Sequence, residues 1–413
     1  MEELSGFYKL SAEERLKKIK KIANLTDDEA QIISDTGALK LELADRMVEN
    51  VIGAIHLPLG IATNFVINGK EFLIPMALEE PSVIAAACKA AKQTLPQGFK
   101  ADADSPVMIG QIQVVDIPDI GRAKKELEQK RSEIMKLAEK CLEPHAKWGI
   151  KPLGFNVREL SDMLLVEFDV NVSDAMGANM VNSTLEGVAP AIEEYTGGKV
   201  RLRILTNLAV KRKARATAVW KKEVVGEDVI AGVLDGYKLA KSDIYRCATH
   251  NKGIMNGIDA VMLATGNDWR AVEAGAHAFA AMNGYKPLTH YEKNKNGDLV
   301  GTIEMPLVSA TVGGAVNTSP TAKITLKISG VKSSAELAMA AVCVGLANNF
   351  AALAALSTVG IQKGHMKLHA KNIAVLVGAK TPEEIDAVAN ELDKLNDFSS
   401  ENAKKILDRL RVA

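Results

Sequence analysis

The sequence predicts an α+β protein: a large, mostly helical unit interrupted by a ferredoxin-like β-α-β-β-α-β unit and followed by a small C-terminal unit. Three observations carry that reading. From Val107 to Leu208 the periodicity switches in the order strand, helix, strand, strand, helix, strand. Around that stretch lie Ala-rich segments with apolar residues at helical spacing. Hydrophobic residues reach 47% while aromatics reach only 4%, which points to helices packed through small side chains. A chain of 413 residues holds more than one domain. The expected divisions are 1–105 with 209–360, then 106–208, then 361–413.

Residues 8–35 read as short charged helices. Leu39–Val51 reads as another, because Leu41, Ala44, Met47, Val48 and Val51 recur at helical spacing. Ala62–Phe65 and Glu71–Pro75 read as a hairpin about Asn68-Gly69, since Asn-Gly supplies positive φ. Pro81 is placed to open a helix through Ala85–Ala91, where its missing N–H is not needed. Val107–Ile117 alternates as a strand and Arg122–Cys141 as a charged amphipathic helix. Leu153–Val157 and Leu164–Val172 follow as strands, Gly177–Tyr195 as a helix and Val200–Leu208 as a strand. After the basic run Lys211-Arg212-Lys213-Ala214-Arg215 come a helical region from Gly226, a strand over Leu299–Leu307 and Ala-rich helices to residue 360. Leu337–Gln362 carries no charge, yet Gly345, Asn348 and Asn349 interrupt it, so it reads as a buried helix pair and not a membrane span. The last stretch holds a strand-like Ile373–Val377 and two charged helices.

Lys and Arg total 51, as do Asp and Glu, so the formal charge is zero. That argues against a general polyanion or nucleic-acid binder and leaves room for a local basic patch toward one phosphorylated ligand. The cysteines at 88, 141, 247 and 343 have neither metal-ligand nor redox spacing and read as buried thiols in a reducing cytoplasm. The first twenty residues are polar and lack a signal-peptide core, so a soluble, cytoplasmic protein with no membrane association is expected. Gly-x-Gly-x-x-Gly, the phosphate loop, Gly-x-Ser-x-Gly and His-Glu-x-x-His are all absent, which lowers the weight of standard nucleotide folds, serine hydrolases and zincins. His365 and His369 are four apart, but no acid lies between them and no third ligand is evident, so no metal is expected.

Five segments are dense in polar groups, four of them beside glycine: Glu49–Gly53, Glu79–Ser82, Asp174–Asn179, Thr249–Gly257 and Gly266–Arg270. With Gly364-His365-Met366 they supply a lysine, carboxylates and a histidine, the residue types of acid–base and oxyanion chemistry. Each also has a structural reading. Glu79-Glu80 before Pro81 complements a helix dipole; Asp174 caps the next helix; Asp268 serves a turn; His365 sits on the surface. Lys252, flanked by Asn, His and Gly, reads as part of a loop that builds little core, and so as functional.

Taken in order, Glu80-Pro81-Ser82, Asp174–Asn179, Thr249–Gly257, Gly266–Asp268 and Gly364–Met366 resemble the class II, soluble form of 3-hydroxy-3-methylglutaryl-CoA reductase, from about Gly6 onward. The resemblance implies two-step, four-electron reduction of HMG-CoA to mevalonate and free CoA with two NAD(P)H, within isoprenoid biosynthesis. It implies Glu80, Lys252, Asp268 and His365 as catalytic residues. Lys252 would neutralise the developing alkoxide. His365 would protonate the departing thiolate, Glu80 would protonate the aldehyde oxygen, and Asp268 would sit between Glu80 and Lys252 to tune both. Ser82, Arg246 and Asn256 would contact substrate. The dinucleotide would lie on Asp174, Ala175, Met176, Gly177 and Asn179, with its pyrophosphate at the helix N-terminus. The large unit would bind the CoA thioester and dimerise, and the C-terminal unit would be a flap carrying His365. A homodimer assembling into a hexamer is implied.

Relatives near the NADH-using type carry an Asp just after the first inserted helix; here Leu142 stands there and Glu143 follows. Lys147-Trp148-Gly149-Ile150-Lys151 replaces a Gly-rich segment usual before the second strand. Loss of the acid, with Lys140, Lys147 and Lys151 close in sequence, leans the expectation to NADPH over NADH. The alternatives are a mevalonate-degrading enzyme running in the oxidative direction and a non-catalytic acyl-CoA-binding homologue. The latter would be expected to have lost Lys252 or His365, and both are present.

Overall fold

The computed structural model describes residues 6–35, 37, 39–47, 49–358, 370–395 and 397–412. In chain order its strands are β1 (Leu59–Ile67), β2 (Lys70–Ala77), β3 (Phe99–Ala103), β4 (Val107–Val115), β5 (Lys151–Leu160), β6 (Met163–Asn171), β7 (Lys199–Leu205), β8 (Lys213–Trp220), β9 (Thr289–Lys293) and β10 (Leu299–Pro306). They form a six-stranded sheet, β2-β1-β3-β8-β10-β9, and a four-stranded sheet, β5-β6-β4-β7.

The four-stranded sheet is antiparallel throughout, and its helices intervene in the split βαβ order. The expected first helix breaks at Lys130 into Ile120–Gln129 and Arg131–Leu142. Arg131 begins the second piece with a guanidinium that donates to Phe155 O at 2.8 Å and lies over the Phe155 ring, tying the break to β5.

In the six-stranded sheet β8 alternates strictly, burying Ala214, Ala216, Ala218 and Trp220. Three small residues on one face let a helix come close. That helix is Ser334–Ser357, 24 residues long and buried on nearly every side. It is apolar and long enough to span a membrane, yet it forms the core: Phe350 stacks on Trp220 with ring centroids 4.1 Å apart. It is one helix where a pair was expected. The outward side chains of β8 turn the predicted basic run into an ion network, in which Lys213 reaches Glu304 at 2.8 Å and Arg215 reaches Asp104 at 2.8 Å.

The hairpin about Asn68-Gly69 forms as expected. Other elements depart from the sequence reading. Over Leu39–Val51 only Leu41–Ala44 is helical; of the expected apolar stripe Ala44 is buried while Met47 is solvent-exposed, and Asn50 takes φ +57°. Val48 lies outside the described residues. Pro81 falls in a turn, and the helix it was to open runs Val83–Lys92. Ile373–Val377 is not a strand: residues 370–376 are helical, with Ala370 and Ala374 four apart facing a cluster that includes Leu392 and Ile406. This register overrides the β-branched residues. At the N-terminus, Ala12–Ala23 and Asp27–Ser34 start at capping boxes from Ser11/Glu14 and Thr26/Glu29. Ile19 and Leu25 pack against Ile324 and Ile328 of the helix Pro320–Ser329.

Candidate active site

Strand β2 delivers the chain to Glu80, and Ser82, at φ +78°, turns it into the helix Val83–Lys92. Lys252 comes from the middle of a 21-residue helix, Ile244–Ala264, where the sequence suggested a loop. Ile254, Met255 and Ile258 are fully buried on its inner side, and that burial carries the helix past Gly253 and Gly257.

Lys252 Nζ lies 3.1 Å from Glu80 Oε2, and Asn256 Nδ2 donates to the same oxygen at 3.3 Å. Lys252 and Asn256 are four apart and share a helix face. The Lys252 side chain is 61% exposed and that of Glu80 38%, so the group opens to solvent. Arg246 lies near the start of the same helix, which Asp243 caps. Burial pulls its pKa down, and it makes no salt bridge among the described residues, which leaves a guanidinium suited to a ligand carboxylate.

Asp268 was expected between Glu80 and Lys252. Its Oδ1 instead accepts from Ala271 N at 3.1 Å, as the cap of Trp269–Ala281, and pairs with Arg270 at 3.3 Å. The carboxylate does not hydrogen-bond to Glu80 or Lys252. Its loop is fixed by Asn267, which exchanges hydrogen bonds with Ala310 at 2.6 and 3.1 Å. His365 and Met366 lie outside the described residues. His250, inside the Lys252 motif, is a buried core residue: its Nε2 meets Thr289 Oγ1 at 2.6 Å. Burial, helped by the nearby charge of Arg246, drives its pKa down to about 3, so the ring is neutral at physiological pH.

Gly177, at φ +97°, precedes the helix Ala178–Thr196, which has no side-chain cap. A Cβ on Gly177 would fall 2.5 Å from Val172, so glycine is required. The first-turn N–H groups, beside exposed Asn179, remain available to an anion. Asp174 does not cap this helix. Its Oδ1 accepts from Ser334 N at 2.7 Å and its carbonyl from Thr311 N at 3.0 Å.

Leu142 cannot contact a ribose. It is 2% exposed and sits in the core cluster with Ile134, Ala138 and Ile150, while Glu143 beside it is exposed. The helix ends with its apolar face still inward, so the residue matched to the acid position falls inside. A cavity of about 410 Å³ lined by Asn68, Lys100, Asp102, Arg215 and Thr217 contains none of these groups.

Residues 11–370 match the family model of hydroxymethylglutaryl-coenzyme A reductase. The chain is 52% identical to the 3-hydroxy-3-methylglutaryl-coenzyme A reductase of Archaeoglobus fulgidus, over 99% of its length and 94% of the relative's. It is 36% identical to a probable reductase of the same name from Borreliella burgdorferi, over 89% of its length and 87% of the relative's. Its fold is similar to the class II enzyme of Streptococcus pneumoniae solved with NADPH in open conformations: TM-score 0.82, 36% identity, 97% of this chain and 100% of the other.

Proposed function

Since the chain belongs to the hydroxymethylglutaryl-coenzyme A reductase family, we infer that the Glu80–Lys252–Asn256 cluster is its reductive centre. The enzyme is an NAD(P)H-dependent oxidoreductase that converts HMG-CoA to mevalonate and CoA. Bound NAD(P)H supplies a hydride at each of the two reductions. The uncapped start of Ala178–Thr196 fits its pyrophosphate, with Ala175, Met176, Gly177 and Asn179 as the surrounding residues. The family relationship supports assigning the inserted sheet unit to the dinucleotide and the large unit to the thioester.

The single observation that carries the site is the ammonium of Lys252 held at the open end of a carboxyl–amide pair. Lys252 Nζ offsets negative charge on the carbonyl oxygen at each reduction. Glu80 carries the proton for the aldehyde oxygen, with Asn256 fixing which of its oxygens faces Lys252. Arg246 and Ser82 bind the substrate carboxylate. Asp268 acts on the cluster from a distance, through the loop that Asn267 anchors. His365 protonates the CoA thiolate.

Partner contact is supported by Ile52 and Ile55, 99% and 95% exposed, and by Tyr245, 83% exposed at the start of the Lys252 helix. This favours a homodimer as the working unit, with a hexamer as the larger assembly. Four free cysteines favour the cytoplasm. The decisive test follows NADPH and NADH consumption with HMG-CoA in wild type and in Glu80→Gln. Turnover in wild type with a loss of at least about 100-fold in the variant is expected; unchanged turnover in Glu80→Gln overturns the site.

A further inference from the structure

Arg212 is a buried cation that the chemistry above does not use. It is 4% exposed and makes no salt bridge among the described residues. Its Nη1 donates to Ala175 O at 3.0 Å and its Nη2 to Ser309 O at 2.5 Å. Ala175 lies in the segment before Ala178–Thr196, whereas Ser309 follows β10 of the other sheet. One guanidinium therefore bolts the two sheets together at the entrance to the proposed dinucleotide site.

The bolt belongs to a closed ring. Asp174, beside Ala175, accepts from Ser334 N and Thr311 N; Ser309 Oγ donates to Ser334 O at 2.7 Å; Ala175 bridges Val312. All the polar groups these contacts involve in Asp174 and Ala175 are turned toward the large unit, away from the helix behind them. The helix itself follows Gly177, which has no side chain to cap it. Ser173 at φ +53° and Gly177 at φ +97° make the backbone reversal that permits this orientation. Burial pulls the Arg212 pKa down to about 10 and the Asp174 charge opposes the shift. A buried cation held by carbonyls is a poor choice for stability alone, since an apolar chain of equal volume often does as well.

We propose that Arg212 is a positioning residue for the dinucleotide: by clamping Ala175 to Ser309 it holds the Asp174–Gly177 segment in the shape that presents free helix N–H groups to the pyrophosphate. This rests on the reading that places the dinucleotide at that helix.

The test is calorimetric titration of the full-length protein with NADPH, alongside thermal unfolding and steady-state kinetics. Arg212→Met should raise the Kd and the KM for NADPH by about tenfold or more. The KM for HMG-CoA, and kcat at saturating NADPH, should stay within about threefold. Arg212→Lys keeps the charge but loses the fork, so it should not restore affinity; it also decides the matter if Arg212→Met does not fold. Equal damage to the thioester KM, or an unchanged NADPH Kd in a folded variant, overturns the proposal. Asn179→Glu separates the two readings. It sets a carboxylate at the exposed first turn and should weaken NADPH binding whatever Arg212 does. If it has no effect, the dinucleotide is not at that helix. If it weakens binding while Arg212→Met and Arg212→Lys do not, only the positioning role fails.

Discussion

Asn348 lies against Gly257 so closely that a Cβ added to the glycine would fall 2.4 Å from Asn348 Oδ1. The same amide donates through Nδ2 to Val83 O at 2.9 Å. Val83 begins the helix after Glu80-Pro81-Ser82, and Gly257 follows Asn256 on the Lys252 helix. One side chain of the central helix therefore sets the spacing between the two elements that carry the cluster.

Gly257→Ala should destabilise the protein by about 1–3 kcal/mol, although alanine is the better helix former. It should also lower kcat several-fold, by moving Lys252 relative to Glu80. Adding Asn348→Ala removes the 2.4 Å contact but leaves Val344 Cγ1 2.8 Å from the new Cβ, so it should recover only part of the stability. Urea unfolding of the two variants measures this; a double variant no more stable than Gly257→Ala counts against the contact.

Lys252→Ala should fold like wild type, because the side chain is largely exposed. Turnover should fall about 100- to 1,000-fold. Matching circular dichroism and unfolding curves, with kcat for HMG-CoA, would establish it.

Leu142→Asp should act on stability and leave the choice between NADPH and NADH unchanged. It places a carboxylate in a core with no partner, a change costing about 4 kcal/mol or more. Denaturant midpoints, with the ratio of kcat/KM for the two dinucleotides, decide between this and a ribose contact.

Asp259 and Glu273 give a pH-dependent stability. Burial, and then a hydrogen bond and like charge from Glu273, push the Asp259 pKa well up, and Glu273 also meets His277 Nε2 at 2.8 Å. The folded chain therefore keeps a proton that the unfolded chain releases above about pH 4. Stability from this group is full at low pH and is lost as pH rises toward the folded-state value. Asp259→Asn cannot release that proton, so its advantage over wild type should be greater at pH 8 than at pH 5, by about 1 kcal/mol or more. Chemical unfolding at both values checks the sign.

Much of this was legible in the chain. The split βαβ order, the Asn68-Gly69 hairpin and the buried helix beyond Leu337 follow from periodicity and turn chemistry, which are local. Lys252 stood out because polar residues beside glycine make poor core, Glu80 and Asn256 through the family resemblance, and the structure brings these three together. What failed was context. The Lys252 motif resembled a loop because of its two glycines, of which Gly257 is there for contact with Asn348, invisible without the fold. Leu142 was matched by position in the chain, and no spacing rule says which side of a helix end faces inward. Arg212 looked like one more member of a basic run; the alternation starting at Lys213 was the available sign that neighbouring residues of that run would separate.

Strands β3 and β8 are hydrogen-bonded neighbours, with Ala103 opposite Ala214. Topologically they are the two legs of one hairpin whose turn has been replaced by the whole ferredoxin-like sheet. The chain departs and returns at a single point of the large sheet, so that sheet's strand pairing does not depend on what is threaded between the legs. A short turn joining Ala103 to Ala214 would leave every strand partner in the large sheet in place. The inserted unit is in this sense a cassette, open to exchange by grafting across one pair of adjacent residues.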